Sequence, residues 1–272
     1  MQPAQTALEQ LKQRMRGTWM AGDFGQIARY LEKGAEEFVD RLNILPGMRV
    51  LDVACGTGNL AIPAAGRGAL VTGVDIAPNL VEQARQRAAA EGLDSTFDEG
   101  DAEQLPYPNA HFDVVMTMFG AMFAPRPERA ASELARVCRR GGKVAMANWT
   151  PTGFTGKMFG VSSRYVPPPD GIPTPVLWGD EKTVRERLSL HLSGIETVRR
   201  KLVFDYPFSP RAVVQLFRDY FGPTRVAFSK LDAAGQEAYA ADLESLWSEH
   251  NEAGDDGTRV GAEYLEVTAT RA

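Results

Sequence analysis

Arg49-Val50-Leu51-Asp52-Val53-Ala54-Cys55-Gly56-Thr57-Gly58 is a short apolar run that ends in a turn built on two glycines. An apolar run stopped by glycine reads as a buried strand, and the stretch beginning near residue 59 reads as the helix that follows it. Gly56 and Gly58 have no Cβ, so the backbone can adopt positive φ there and pass close to a ligand. The helix then aims its N-terminal N–H groups at whatever the turn holds. With Ala61 the spacing also satisfies Gly-x-Gly-x-x-Gly/Ala, and Asp75 lies near the distance expected of a carboxylate that accepts ribose hydroxyls.

Outward from this turn the chain repeats the theme. Strands are predicted over about 70–75, 95–99, 112–118 and 143–148, the last introduced by Arg140-Gly141-Gly142, with helices over 79–91 and 126–136 between them. Alternation of this kind places right-handed crossovers, and hence helices, on both faces of a parallel sheet. The flanks read differently. Residues 1–45 carry a helical apolar pattern that includes Leu8, Leu11, Met15, Ile27, Tyr30, Leu31, Phe38 and Leu42. Residues 150–180 are rich in Gly and Pro, with Tyr165-Val166-Pro167-Pro168-Pro169-Asp170-Gly171 near their end, and read as an irregular lid. A helix near 180–188, a strand near 196–204, helices across 210–222 and 233–250, and a strand near 263–270 complete the chain.

The expected fold is therefore α/β, a Rossmann-like doubly wound sheet of seven mostly parallel strands. Residues 1–45 would form an N-terminal helical lid and 46–149 the cofactor-binding core. Residues 150–272 would supply the remaining strands, with lid insertions at about 150–180 and 207–255.

Thirty Lys and Arg face thirty-five Asp and Glu, a net charge of -5, so no basic field exists to draw nucleic acid or anionic lipid. Arg139-Arg140 and Arg199-Arg200-Lys201 read as solvated surface. Two cysteines, Cys55 and Cys138, lack metal-ligand spacing and argue against a disulfide framework. The first sixteen residues have no apolar core of the signal-peptide kind, and no run approaches the roughly 18 apolar residues of a membrane span, so a cytoplasmic location is expected.

The glycine turn alone leaves two cofactors open, a nicotinamide dinucleotide and S-adenosylmethionine. Three further features separate them. Asp52 sits inside the first strand, where an acid suits a cationic amino acid moiety and would be an awkward neighbour for a pyrophosphate. Glu99-Gly100-Asp101-Ala102-Glu103-Gln104-Leu105-Pro106 follows the third strand, and there the Asp101 carboxylate could accept from an adenine amino group while the Ala102 backbone meets the ring edge. The fourth strand ends in Met118-Phe119-Gly120-Ala121-Met122-Phe123, an apolar cluster at the carboxyl edge, where open α/β sheets bind ligands.

On these residues the chain resembles the class I S-adenosylmethionine-dependent methyltransferases, and within them the ubiquinone/menaquinone-biosynthesis type and its small-molecule relatives. Val50 to Gly58 is similar to the family's glycine-rich first motif, and Val74-Asp75-Ile76 to the acidic end of its second strand. Gly100-Asp101-Ala102 with Leu105-Pro106, Phe112-Asp113-Val114-Val115, and Leu134-Ala135-Arg136-Val137 with Gly141-Gly142 match later segments. The resemblance spans 48–148. It implies S-adenosyl-L-methionine as cofactor and a small-molecule methyl acceptor as partner. The turn around Ala54, Gly56 and Gly58 would then approach the methionine part, with the backbone near Met118 at its amino group. Asp75 would take both ribose hydroxyls, Ile76 would pack on adenine, and Asp101 and Ala102 would bind its edge.

No Ser/His/Asp or Cys/His constellation stands out, so no catalytic residue is assigned. Trp19 and Tyr30 are candidates to close over the cofactor and acceptor, and Trp149, Tyr165 and Trp178 to wall the pocket. His111, His191 and His250 read as surface groups, and Cys55 as a backbone contributor. Two other functions remain open on the residues alone, a nicotinamide oxidoreductase and a non-catalytic S-adenosylmethionine-binding regulator. The first would need a hydride-side acid such as a Tyr-x-x-x-Lys pair, which is not found.

Overall fold

The computed structural model describes residues 3–169, 171–254 and 257–272; Asp170 of the Pro-rich stretch and residue 255, at the end of the second expected insertion, lie outside them. Seven strands form one sheet in the order β3-β2-β1-β4-β5-β7-β6. They are β1 Arg49–Val53, β2 Leu70–Asp75, β3 Ser95–Glu99, β4 Phe112–Met118, β5 Cys138–Trp149, β6 Leu192–Tyr206 and β7 Thr258–Arg271. β1 to β5 are parallel, and β7 runs antiparallel between β5 and β6. Val50, Leu51 and Val53 are buried because β1 is central, flanked by β2 and β4. Strand order reverses at that point, so the crevice for a ligand opens at the carboxyl ends of β1 and β4.

Helices α1 Pro3–Met20, α2 Gly25–Ala28 and α3 Glu32–Arg41 precede the sheet; α4 Ala61–Gly66, α5 Pro78–Ala90 and α6 Pro127–Val137 connect its parallel strands. α3 is pinned to the antiparallel part of the sheet. Arg41 donates to the buried Glu266 carboxylate at 2.7 Å and to the Tyr264 hydroxyl at 3.0 Å. β6 alternates in the expected period of two: Leu202, Phe204 and Tyr206 are buried, while Lys201, Val203 and Asp205 face solvent. The chain crosses from β6 to β7 through α9 Pro210–Tyr220, α10 Gly222–Ser229 and α11 Ala233–Glu249. No helix among the described residues is long and apolar enough to cross a membrane.

The structure corrects the sequence reading at several places. The helix after the glycine turn starts at Ala61 rather than 59, because the Asn59 side chain is used elsewhere: it donates to the Ala28 carbonyl at 2.8 Å and accepts from Arg87 at 2.7 Å. Arg140-Gly141-Gly142 is no free turn but lies within β5, where the pairing with β4 shifts between Phe112 and Val114. More than a third of 150–180 is not irregular: Phe154–Tyr165 is helix α7, with Phe154, Met158 and Val161 as its buried stripe. The expected helix over 210–222 is two, broken at Phe221, whose extended backbone begins α10. The basic clusters are mostly paired. Arg139 meets Asp113, Arg199 meets Glu181 and Glu263, and Arg200 meets Glu266.

Candidate functional site

One cleft lies over the carboxyl ends of β1, β2 and β4, enclosing about 1080 Å³ of empty space including its open mouth. Of the nine residues singled out from the sequence, eight line it: Asp52, Ala54, Gly56, Asp75, Ile76, Asp101, Ala102 and Met118.

The ninth, Gly58, does not. Its φ of +85° still demands glycine, but a Cβ there would meet Ile62 at 3.3 Å and Ala84 at 3.5 Å. Gly58 thus seats the turn on α4 and α5, whereas Gly56, at φ +53°, faces the cleft. Ala54 and Phe119, both at the cleft wall, also have positive φ, +56° each, an unfavourable conformation for residues with a Cβ. Behind them the two loops nearly touch: a Cβ on Gly120 would stand 2.6 Å from the Ala54 Cβ. Sequence reasoning placed Gly120 only within an apolar cluster, since a close approach between separate strands leaves no local signal.

The carboxylates organise the floor. Asp75 accepts from the Gly56 N–H at 2.9 Å with one oxygen and from the Ala77 N–H at 2.8 Å with the other. Each oxygen retains a lone pair for a ligand. Burial raises the Asp75 pKa, and the backbone donors at Ala77, Gly56 and Ile76 oppose that shift. Asp52, 1% exposed, accepts from the Ala61 N–H at 3.1 Å. Its pKa lies well above the ordinary range, first through burial and further through the nearby Asp75 charge, against the Ala61 bond. The Cys55 thiol is pushed well up by burial and then by Asp52 and Asp75, which makes it a poor nucleophile.

Asp52 therefore holds its proton to higher pH in the folded state than unfolded. Rising pH removes stability from the ordinary value of 3.8 upward through that raised folded pKa. Asp52→Asn keeps an acceptor for Ala61 and loses the buried charge. We expect its melting temperature to exceed that of the parent by a few degrees at neutral pH, with the gap closing toward pH 4, and its affinity for a cationic ligand to fall. Equal melting curves at every pH would refute the account.

The roof comes from α1. Lys12, Met15 and Trp19 line the cleft; at offsets of three and seven they form one helical stripe. Lys12 bridges two carboxylates, Asp101 and the fully buried Glu103, each at 2.5 Å, and Arg126 also pairs with Glu103 at 2.8 Å. Arg16 adds a pair with Glu99 at 2.9 Å. Lys12 escaped the sequence reading because its partners are some ninety residues away. Removing it should loosen the roof: in Lys12→Met, trypsin should cut after Arg14 and Arg16 roughly tenfold faster, as charged hydrogen bonds contribute about 1.5–3 kcal/mol. An unchanged cleavage rate would mean that apolar contacts alone hold α1.

The aromatic candidates divide. Trp19 reaches the cleft and packs on Phe123, Phe221 and Phe24, with centroids 5.1, 5.9 and 6.0 Å apart. Tyr30 turns away, onto Tyr206 at 4.4 Å. Trp149, Tyr165 and Trp178 do not wall the pocket. Trp149 stacks behind Phe119 at 3.6 Å, Tyr165 donates to Asp242, and Trp178 is buried under Arg187. Indeed no described residue of 150–180 lines the cleft; Phe159 stands edge-on to Phe123 at 5.9 Å, and Pro175–Gly179 packs behind Ala121–Phe123. The histidines are also elsewhere. His111 lies against Phe112, His191 beside Arg271 at the opposite edge of the sheet, and His250 against Lys157.

The donor set discriminates between cofactors. Three carboxylates, Asp52, Asp75 and Asp101, face one cation in the lining, and that cation, Lys12, is already paired. A pyrophosphate would meet uncompensated negative charge, while a zwitterionic amino acid with an adjacent sulfonium suits the site.

Comparison with known proteins agrees. Residues 50–142 match the model of a methyltransferase domain. A relative from Mycobacterium tuberculosis (strain ATCC 25618 / H37Rv), itself described only as an uncharacterised protein, is 43% identical over 79% of this chain and 80% of its own length. Among solved structures, the YcgJ protein of Bacillus subtilis superposes with a TM-score of 0.61 at 18% identity, covering 88% of this chain and 99% of that one. Phosphoethanolamine N-methyltransferase 2 of Haemonchus contortus, solved with S-adenosyl-L-methionine, superposes at 0.55 and 19% identity, covering 88% of this chain and 52% of that one. These two share the fold. Methyltransferase domain, fold and donor chemistry point one way, and the chain belongs to the class I S-adenosylmethionine-dependent methyltransferases.

Proposed function

We propose that the protein transfers the methyl group to an O, N or C atom of a small-molecule acceptor held beside the cofactor in the same cleft. The observation that carries this reading is the division of the lining. The half over β1 to β3 is polar and acidic, with Asp52, Asp75 and Asp101. The half over β4 and under α1 to α3 is apolar, with Trp19, Phe24, Leu31, Ala35, Phe119 and Phe123.

In the polar half, Asp75 would accept the ribose hydroxyls. Asp101, exchanging Lys12 for the adenine amino group, and the Ala102 backbone would hold the ring edge, with Ile76 on its face. Gly56, Ala54 and the backbone near Met118 would follow the methionine part, with Asp52 beneath. Gly58 would serve by keeping the turn in shape.

The cofactor supplies an activated methyl. The remaining task of the chain is alignment and exclusion of water, and alignment alone can lower barriers by about 7–11 kcal/mol in favourable systems. α1, with Phe24, Leu31 and Ala35 after it, would form the cover. The 207–255 insertion supports it through Phe221 behind Trp19, and 150–180 meets the cleft wall through Phe159 and through Pro175–Gly179 behind Ala121–Phe123. The test is acceptor-dependent release of S-adenosylhomocysteine across a panel of small hydroxyl, amine and carbon acceptors. Binding without turnover of any of them would make the protein a sensor of S-adenosylmethionine instead.

A further inference from the structure

Every ionisable side chain in the cleft lining is committed on the polar side. Lys12 bridges Asp101 and Glu103, and Asp101 also accepts the Glu103 N–H at 2.8 Å. Asp52 takes the Ala61 N–H, Asp75 takes those of Gly56 and Ala77, and the Cys55 thiol lies against the Gly56 carbonyl. Across the gap, the described lining is Trp19, Phe24, Leu31, Ala35, Phe119, Gly120, Ala121, Phe123, Ala124 and Pro125, a wall with no side-chain group able to take or give a proton at neutral pH. Phenolic groups behind it are engaged or turned away. Tyr264 is edge-on to Phe119 with its hydroxyl on Arg41, and Tyr30 and Tyr206 pack on one another.

From this arrangement we propose that the acceptor is a flat, apolar molecule carrying an acidic hydroxyl, a phenol or enol ionised near neutral pH, and that it reacts as the anion. The inference rests on the proposed function above. The proton goes to solvent before the acceptor enters. The acceptor oxygen then uses its electron pair to bond the methyl carbon, and the carbon–sulfur bond breaks with its pair remaining on sulfur. Two opposite charges become two neutral products, and no protein group handles a proton.

An apolar wall suits such a step, because attraction between unlike charges strengthens as the local dielectric falls. An amine fits less well. It would emerge as a cation with a proton to lose, against a wall with no acceptor, where an unpaired charge is costly. A neutral hydroxyl of ordinary acidity would need a general base, and none faces that half. The four rings Trp19, Phe24, Phe119 and Phe123 account for the preference for a flat body.

The test uses nitro- and chlorophenols of graded acidity, with the matching anilines, and the full-length protein. Under kcat/KM conditions the acid limb of each phenol's pH–rate profile should follow that phenol's own pKa, so acceptors about three units apart in acidity give limbs about three units apart. A readout without turnover comes from the absorbance of nitrophenol bound beside sinefungin, a cationic cofactor analogue. The bound phenol should remain ionised at neutral pH, and with sinefungin held at saturation Trp19→Ala should weaken phenol binding at least tenfold.

A limb fixed at one pH across the series would reveal a protein base and overturn the proposal. So would protonation of the phenol on binding, anilines turning over better than phenols, or no turnover of any phenol by protein that binds the cofactor normally. Failure to bind S-adenosylhomocysteine at all would instead strike the functional reading on which the proposal rests.

Discussion

Gly56→Val should abolish measurable binding of S-adenosylhomocysteine, an affinity loss of about a hundredfold or more, while Gly66→Ala leaves it unchanged. Gly56 sits at φ +53°, a conformation that a β-branched residue adopts only under strain of about 1–3 kcal/mol. The added side chain would also press toward the Phe24 ring, 3.6 Å from the ideal Cβ, and fill space in the cleft itself. Relaxing the strain would move the Gly56 N–H off Asp75, so the floor would be disturbed together with the wall. Gly66 has ordinary helical backbone and nothing within 4 Å of a Cβ, which makes it a matched control. A folded Gly56→Val protein that binds normally would remove the turn from the cofactor site.

The second large effect is expected at Asp75. Its carboxylate has two tasks: it ties the Gly56 and Ala77 N–H groups together, and it would offer its remaining lone pairs to the ribose. Asp75→Ala should weaken S-adenosylhomocysteine about 10- to 100-fold, as expected for the loss of charge-assisted hydrogen bonds contributing about 1.5–3 kcal/mol. It should also lower the melting temperature, because two buried donors lose their acceptor. Asp75→Asn retains an oxygen for one of those donors. Its stability should therefore lie nearer the parent's, with affinity still reduced. Both variants binding as the parent does would show that Asp75 has a structural task only.

The positions of Asp52, Asp75 and Asp101 were legible in the sequence for a physical reason. Each sits near or just past the carboxyl end of a strand whose apolar period is local, and parallel strands joined by crossovers bring their carboxyl ends to one edge. The same holds for the seven strands and their faces. What the sequence hid depends on contacts between distant segments. Lys12 carries no mark of its meeting with Asp101 and Glu103, and Gly120 none of its approach to Ala54. Trp19 on α1 and Tyr30 in the turn between α2 and α3 end up in different places because the bend after α1 sends one over the cleft and the other onto β6. The α7 helix was masked by Gly153, Gly156 and Gly160, residues that lower helix propensity. Gly156 fits a crowded contact, where a Cβ would lie 2.3 Å from the Pro151 carbonyl oxygen. Tertiary packing, which overrides propensity, makes that stretch helical.

The central claim, that this acidic cleft is built for S-adenosylmethionine and not for a dinucleotide, has a direct test in paired calorimetric titrations. Protein is titrated with S-adenosylhomocysteine and, separately, with NAD, in parent and Asp75→Ala forms. The account predicts one saturable site per chain for S-adenosylhomocysteine, weakened by the substitution, and no saturable heat with NAD. Saturable NAD binding that Asp75→Ala weakens, with none for S-adenosylhomocysteine, would contradict it.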